Sequence, residues 1–61
     1  MSAQLQHVIN CLPGCKSAKD LHTLIIKNQS LIPNNEVPLF NLYVSQRIES
    51  LGLTIKEVVS L

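Results

Sequence analysis

The stretch that decides the fold is residues 35–51, NEVPLFNLYVSQRIESL. Apolar residues recur there at every third or fourth position, which is the spacing of one face of an α-helix. This stripe consists of Val37, Phe40, Val44, Ile48 and Leu51. Pro38 falls in the first turn, where backbone amides have no acceptor within the helix and proline is tolerated. The stretch predicts one long helix, ~25 Å at 1.5 Å per residue, with Asn34 or Asn35 as its cap.

Two features follow from the sequence around this long helix. Its apolar arc is wider than one seam, because Leu39, Leu42 and Tyr43 lie beside the stripe and can contact a second neighbour or a partner.

Gly52 fits the left-handed position after a helix end. Thr54 and Glu57 then form a capping-box pattern, which predicts a short helix over residues 54–61. We expect that helix to place three apolar residues on one side, namely Ile55, Val58 and Leu61.

Two further helices are predicted before the long one. In residues 3–12 the apolar stripe is Leu5, Val8, Ile9 and Leu12, and Pro13 with Gly14 supplies the stop. Ser17 and Asp20 match a capping box that opens a helix over residues 17–29. One face of this helix is Leu21, Leu24, Ile25 and Asn28. Ile26 lies off that face and is predicted to point outward.

The fold class predicted from these segments is all-α, a small single domain of three to four helices with one long helix. We expect at least about 70% helix and no sheet. The polar segment 28–35 is the main loop, and Pro33 favours an extended backbone at Ile32.

Composition indicates a binding surface. A chain of 61 residues buries only about 60% of the surface that its unfolded form exposes. Yet 46% of the residues are hydrophobic, so we expect apolar surface to stay exposed, which marks an interaction site. Cys11 and Cys15 are the only cysteines and are expected to be free thiols in a cytoplasmic protein.

The residue inventory argues against several function classes. A net charge of +1 is too small to attract the phosphates of a nucleic acid. With one Phe, one Tyr and no Trp, the chain also lacks aromatic rings on which bases could stack. No catalytic motif is present, so we expect no enzyme, no catalytic residue and no cofactor. The set His7, Cys11, Cys15 and His22 matches no familiar zinc spacing, so no metal is expected. No apolar run approaches the ~20 residues of a membrane span.

Three of the basic side chains, Lys16, Lys19 and Arg47, each allow two interpretations. Lys16 and Lys19 form either a solvated helix start or a basic edge for an acidic partner. Arg47 lies one residue from the apolar stripe, and either pairs with Glu36, Glu49 or a partner carboxylate, or packs its stem along the helix with its head in water. The residues predicted to bind a partner are Ile26, Lys27, Leu39, Leu42, Tyr43 and Arg47. The monomer or a homodimer would present them.

Residues 15–61 resemble the Hha/YmoA family of small bacterial nucleoid-associated modulators. The residues that carry the resemblance are Cys15, Leu21, Ile25, Lys27, Asn28, Asn35, Glu36, Phe40, Arg47 and Leu51. The resemblance implies a protein that does not bind DNA bases itself. It implies docking on the dimerisation region of an H-NS-like nucleoid protein, indirect association with DNA, and modulation of gene expression.

A second resemblance stays open. Residues 15–43, with the stretch CKSAKDLHTLIIKN, are similar to one helical hairpin of the pentatricopeptide class. This resemblance implies an RNA-binding fragment, and a structural subunit of a larger assembly is a further alternative. Such repeats bury their faces only against neighbouring repeats.

Overall fold

The chain forms four α-helices in a computed structural model that describes residues 1–61, with 3-10 turns in the connections before and after α2. The helices are α1 (Ala3–Cys11), α2 (Ala18–Asn28), α3 (Val37–Ser50) and α4 (Ile55–Val59). Of the chain, 79% is helical and no strand occurs. The predicted fold class, with one long helix and no sheet, is therefore confirmed.

Hydroxyl side chains begin three of the helices. The Oγ atoms of Ser2 and Ser17 each accept the amide three residues on, and Thr54 Oγ1 accepts the amide of Glu57. In the box at Ser17, the Asp20 carboxylate accepts the amide of Lys16, at 3.2 Å. These bonds satisfy amides that have no acceptor within the helix, and they confirm the predicted starts of α2 and α4.

The start of α3 differs from the prediction. Neither Asn34 nor Asn35 caps the helix through its side chain, so that prediction was wrong. The Glu36 amide donates to the Pro33 carbonyl at 2.8 Å, which draws Asn34–Glu36 into a separate 3-10 turn. The asparagines then lie before the first α-helical residue, Val37, with their side chains exposed.

The end of α3 follows the predicted pattern. Gly52 has φ +73°, a conformation that glycine adopts without steric cost. The Leu53 amide donates to the Ile48 carbonyl at 3.1 Å and the Gly52 amide to the Glu49 carbonyl at 3.0 Å. These bonds satisfy carbonyls at the helix end and turn the chain toward α4.

The hydrophobic core draws on all four helices. Its eleven members are Leu5, Val8, Leu12, Cys15, Leu21, Leu24, Ile32, Phe40, Val44, Ile48 and Val58. Ile32 belongs to the core because its extended backbone, with ψ 128°, turns the side chain inward before Pro33. The predicted extended conformation at Ile32 is confirmed.

The predicted face of α4 was wrong. Val58 is fully buried, but Ile55 is 57% exposed and Leu61 is 61% exposed. The helix has only five residues and ends at Val59, so Leu61 lies beyond it. Because Val58 alone enters the core, Ile55 and Val59 are left on the outer side.

Candidate functional site

An apolar groove of about 420 Å³ lies between α2, α3 and α4. Its apolar lining comprises Ile25, Phe40, Val44, Ile48, Ile55 and Val59. Gln29, Asn41 and Ser45 supply the polar lining, and no charged residue contributes. We call this surface the apolar groove.

The long helix gives the apolar groove both its apolar floor and its polar rim. Phe40, Val44 and Ile48 follow one another at helical spacing and are nearly fully buried. Asn41 and Ser45 each lie one residue further on, which is a rotation of about 100° around the helix. The same helix therefore offers apolar contact beside amide and hydroxyl hydrogen-bonding groups.

The wall on the opposite side depends on how α4 is held. His22 Nδ1 donates to the Val58 carbonyl at 2.8 Å, which places the proton on Nδ1 of that imidazole. The Val58 side chain is buried in the core. Both contacts anchor α4 at Val58, so Ile55 and Val59, one turn apart, project into the apolar groove.

The six residues predicted from the sequence divide between different surfaces. Ile26 and Lys27 are exposed neighbours on α2, and Leu39 and Leu42 are exposed on α3. None of these four lines the apolar groove. Ile26, Leu39 and Leu42 are outside the core, as expected, whereas Tyr43 is partly buried against it.

Tyr43 and Arg47 are brought together in a second, shallower cleft of about 290 Å³. The other residues of this cleft are Ile9, Leu12, Pro13, Gln46 and Ser50, from α1, the following turn and α3. The cleft thus joins the end of α1 to the outer side of α3.

Arg47 makes internal hydrogen bonds. Its guanidinium donates to the Cys15 carbonyl from Nε at 3.1 Å and from Nη2 at 3.0 Å, and Nη2 also lies 3.2 Å from the Pro13 carbonyl. It forms no ion pair with Glu36 or Glu49. The side chain ties the α1–α2 connection to the long helix, and its predicted contact with a partner stays a prediction.

Sequence reasoning missed the walls and rim of the apolar groove. The missing residues are Gln29, Asn41, Ser45, Ile55 and Val59. The spacing of Ile55 and Val59 by four did place both on one helical face. Nothing in the pattern showed that Val58, one residue earlier than Val59, would take the only core position of α4.

A third cleft, of about 500 Å³, contains both thiols beside Lys19, Asp20 and Thr23. Cys15 is buried and Cys11 is partly exposed. Burial is the main cause that raises the pKa of the Cys15 thiol. Electrostatic interactions with Asp20 and Cys11 act in the same direction, while the interaction with Arg47 opposes them. The thiol of Cys15 therefore stays protonated more readily than a solvated one.

The four candidate metal ligands, His7, Cys11, Cys15 and His22, do not form one cluster. His7 Nε2 lies 3.6 Å from the Cys11 sulfur, but His22 is hydrogen-bonded to the Val58 carbonyl on α4. No group of three or more His, Cys, Asp or Glu side chains is placed to hold a metal ion.

Glu36 is a nearly buried carboxylate between the chain's first residues and α3. Its Oε2 accepts the Ser2 amide at 2.8 Å and lies 3.7 Å from the terminal ammonium, while Oε1 is buried without a partner. Hydrogen bonding from the Ser2 side chain is the largest cause that lowers the pKa of Glu36, and the Ser2 amide and the terminal ammonium add to it. Desolvation acts in the opposite direction.

Comparison of the chain with protein-family models, with curated proteins and with solved structures gives no match. None of the helices combines the length and apolar character that crossing a membrane requires.

Proposed function

We propose that this chain is a protein-binding modulator that receives an apolar helix of its partner in the apolar groove. The observation that supports this most is the uncharged lining between α2, α3 and α4, with the exposed side chains Ile55 and Val59 on one wall. Exposed apolar surface of this kind on a small domain marks an interaction site.

The uncharged lining of the apolar groove determines which kind of partner surface can bind there. A charged side chain placed there would lose its water without gaining an opposite charge, which is costly. An amphipathic helix loses little, because its apolar residues at i, i+3, i+4 and i+7 replace water on both surfaces. Gln29, Asn41 and Ser45 can hydrogen-bond to polar groups at the edge of that helix and so fix its register.

The proposed partner is the dimerisation region of an H-NS-like nucleoid protein, on the strength of the resemblance to the Hha/YmoA family. Such a partner makes the chain a cytoplasmic, nucleoid-associated protein that modulates gene expression. Its association with DNA would be indirect. The net charge of +1 and the internal hydrogen bonds of Arg47 leave little basic surface for phosphates.

The outer side of α3 is proposed as the second contact. Leu39 and Leu42 are exposed on neighbouring turns, beside the partly buried Tyr43. Ile26 and Lys27 on α2 form a separate contact in this proposal, with Lys27 orienting a partner carboxylate. Catalysis has no part in the proposed function.

Isothermal titration calorimetry with the purified dimerisation region of an H-NS-like protein tests the proposal. The double variant Ile55→Ser/Val59→Ser should weaken binding by about 2 kcal/mol or more, as expected for apolar anchors. The matched control is Leu61→Ser, an exposed apolar residue outside the groove. If the wild type binds and the double variant binds with the same affinity, the groove is not the binding site. If the wild type does not bind, the H-NS-like protein is not the partner.

A second function is favoured by a specific observation, the apolar surface that α4 leaves uncovered. Ile55, Val59 and Leu61 are all exposed in this region, as expected for a helical repeat that stacks against the next one. This arrangement would suit a pentatricopeptide-like RNA-binding fragment or a subunit of a larger assembly. Fluorescence anisotropy with single-stranded RNA separates the two functions, because the modulator should give no salt-dependent binding.

A further inference from the structure

We propose that Cys11 and Cys15 form a thiol oxidation site, at which a peroxide oxidises Cys11 and Cys15 then closes an intramolecular disulfide. The two thiols lie in the same cleft, beside α1 and the start of α2. This proposal is independent of the proposed partner.

Cys11 is placed to react first. It is the last residue of α1, its side chain is partly exposed, and it lines the open cleft. His7 lies one helical turn earlier, with Nε2 at 3.6 Å from the Cys11 sulfur. The imidazole nitrogen can accept the thiol proton, and the thiolate is the nucleophilic form of cysteine.

Cys15 is placed to react second. The 3-10 turn Leu12–Gly14 folds the chain back, with the Cys15 amide donating to the Leu12 carbonyl at 3.0 Å. As a result the Cys15 sulfur lies 3.6 Å from the carbonyl oxygen of Cys11. Burial and neighbouring negative charge raise the pKa of this thiol, so Cys15 is a poor first target but lies within reach of an oxidised Cys11.

The chemistry balances with hydrogen peroxide as the oxidant. The Cys11 thiolate attacks one peroxide oxygen, an S–O bond forms, the O–O bond breaks, and the departing hydroxide takes the proton from His7 to give water. The Cys15 sulfur then attacks the Cys11 sulfur, the S–S bond forms, the S–O bond breaks, and a second water leaves with the Cys15 proton. Two thiols lose two electrons, and one peroxide is reduced to two waters.

The oxidation reaches the long helix through Arg47. The disulfide would constrain Cys15, a core residue, and the carbonyl of the same residue is the main acceptor of the Arg47 guanidinium. The cleft that contains Tyr43 and Arg47 is therefore expected to change shape with the redox state of the thiols.

Mass spectrometry of the full chain treated with stoichiometric hydrogen peroxide tests the site. The expected product is a monomer that has lost two hydrogen atoms and regains them with a reductant. In Cys15→Ala the reaction should stop at a sulfenic acid on Cys11, which dimedone traps. In His7→Ala the oxidation of Cys11 should slow by at least ~10-fold, as expected when a proton acceptor is lost.

Wild-type protein provides a check that does not depend on the variants folding. Brief alkylation of the native chain should label Cys11 and leave Cys15 unlabelled. Preferential oxidation or labelling of Cys15, a product linked between two chains, or oxidation no faster than that of the unfolded chain would each overturn the proposal.

Discussion

Arg47 on α3 donates two hydrogen bonds to the carbonyl oxygen of Cys15, from Nε at 3.1 Å and from Nη2 at 3.0 Å. These bonds span 32 positions of the sequence and join the turn after α1 to the last turn of the long helix. A planar guanidinium suits this geometry, because it presents neighbouring N–H groups in a fixed fork.

Replacing Arg47 by Ala should lower the free energy of unfolding by roughly 1–2 kcal/mol, since hydrogen bonds from a charged donor to the partly buried Cys15 carbonyl are lost. Arg47→Lys should recover only part of the loss, because an ammonium group cannot reproduce the fork. Urea denaturation measures both changes. Lys56→Ala, at an exposed position on α4, is the control and should change stability by less than about 0.5 kcal/mol. Equal stability of Arg47→Ala and wild type would contradict the structural role of Arg47.

The bond between His22 and Val58 should decide whether α4 stays docked. His22→Ala removes the donor to the Val58 carbonyl and should cost about 1 kcal/mol. Hydrogen exchange of the α4 amides should accelerate more than exchange in α1, because a five-residue helix has little stability of its own. His7→Ala is the matched control on α1. Exchange that increases equally in all helices would show that the bond has no local effect.

Neighbouring valines on α4 offer a direct comparison of core and groove. Val58 is fully buried, whereas Val59 is exposed at the apolar groove. Val58→Ala should destabilise the fold by about 2 kcal/mol, from lost burial and the remaining cavity. Val59→Ala should stay within about 0.5 kcal/mol of the wild type. Thermal denaturation of the two variants measures the contrast, and a larger loss for Val59→Ala than for Val58→Ala would contradict the burial of Val58.

Glu36 should make stability depend on acid pH. Hydrogen bonding from Ser2 lowers the pKa of Glu36 in the folded chain, so the ionised carboxylate favours folding. This contribution is complete above the unfolded-chain pKa of about 4.3 and is lost as the pH falls through the lower, folded-chain pKa. Glu36→Gln should therefore lose less stability than the wild type on acidification across this range. Glu49→Gln, at an exposed position, should keep the wild-type pH profile in urea denaturation.

Much of the fold was predictable because local chemistry determines it. Periodic apolar residues, the hydroxyl caps at Ser17 and Thr54, and Gly52 each act within a few residues of the chain. The start of α3 was not predictable in this way, because the Glu36 amide donates to the Pro33 carbonyl and no asparagine side chain caps the helix. The apolar groove was hidden for a different reason. It depends on the contact of His22 with Val58, 36 positions apart, and no local pattern specifies which side of a five-residue helix meets the core.

The same limit applies to the side chains predicted to bind a partner. Exposure of Ile26, Leu39 and Leu42 followed from their positions off the apolar stripes. For Arg47 the helical position alone could not reveal its acceptors, because the Pro13 and Cys15 carbonyls come from a distant turn. Long-range polar contacts need the tertiary structure.

Binding of a partner at the apolar groove is tested most directly by a nuclear magnetic resonance titration of the labelled chain with the dimerisation region of an H-NS-like protein. The largest amide shifts should occur around the apolar groove, at Gln29, Asn41, Ser45, Ile55 and Val59, with smaller shifts at Leu39 and Leu42. Shifts confined to Lys16, Lys19 and the thiol cleft, or no shifts at all, would contradict it.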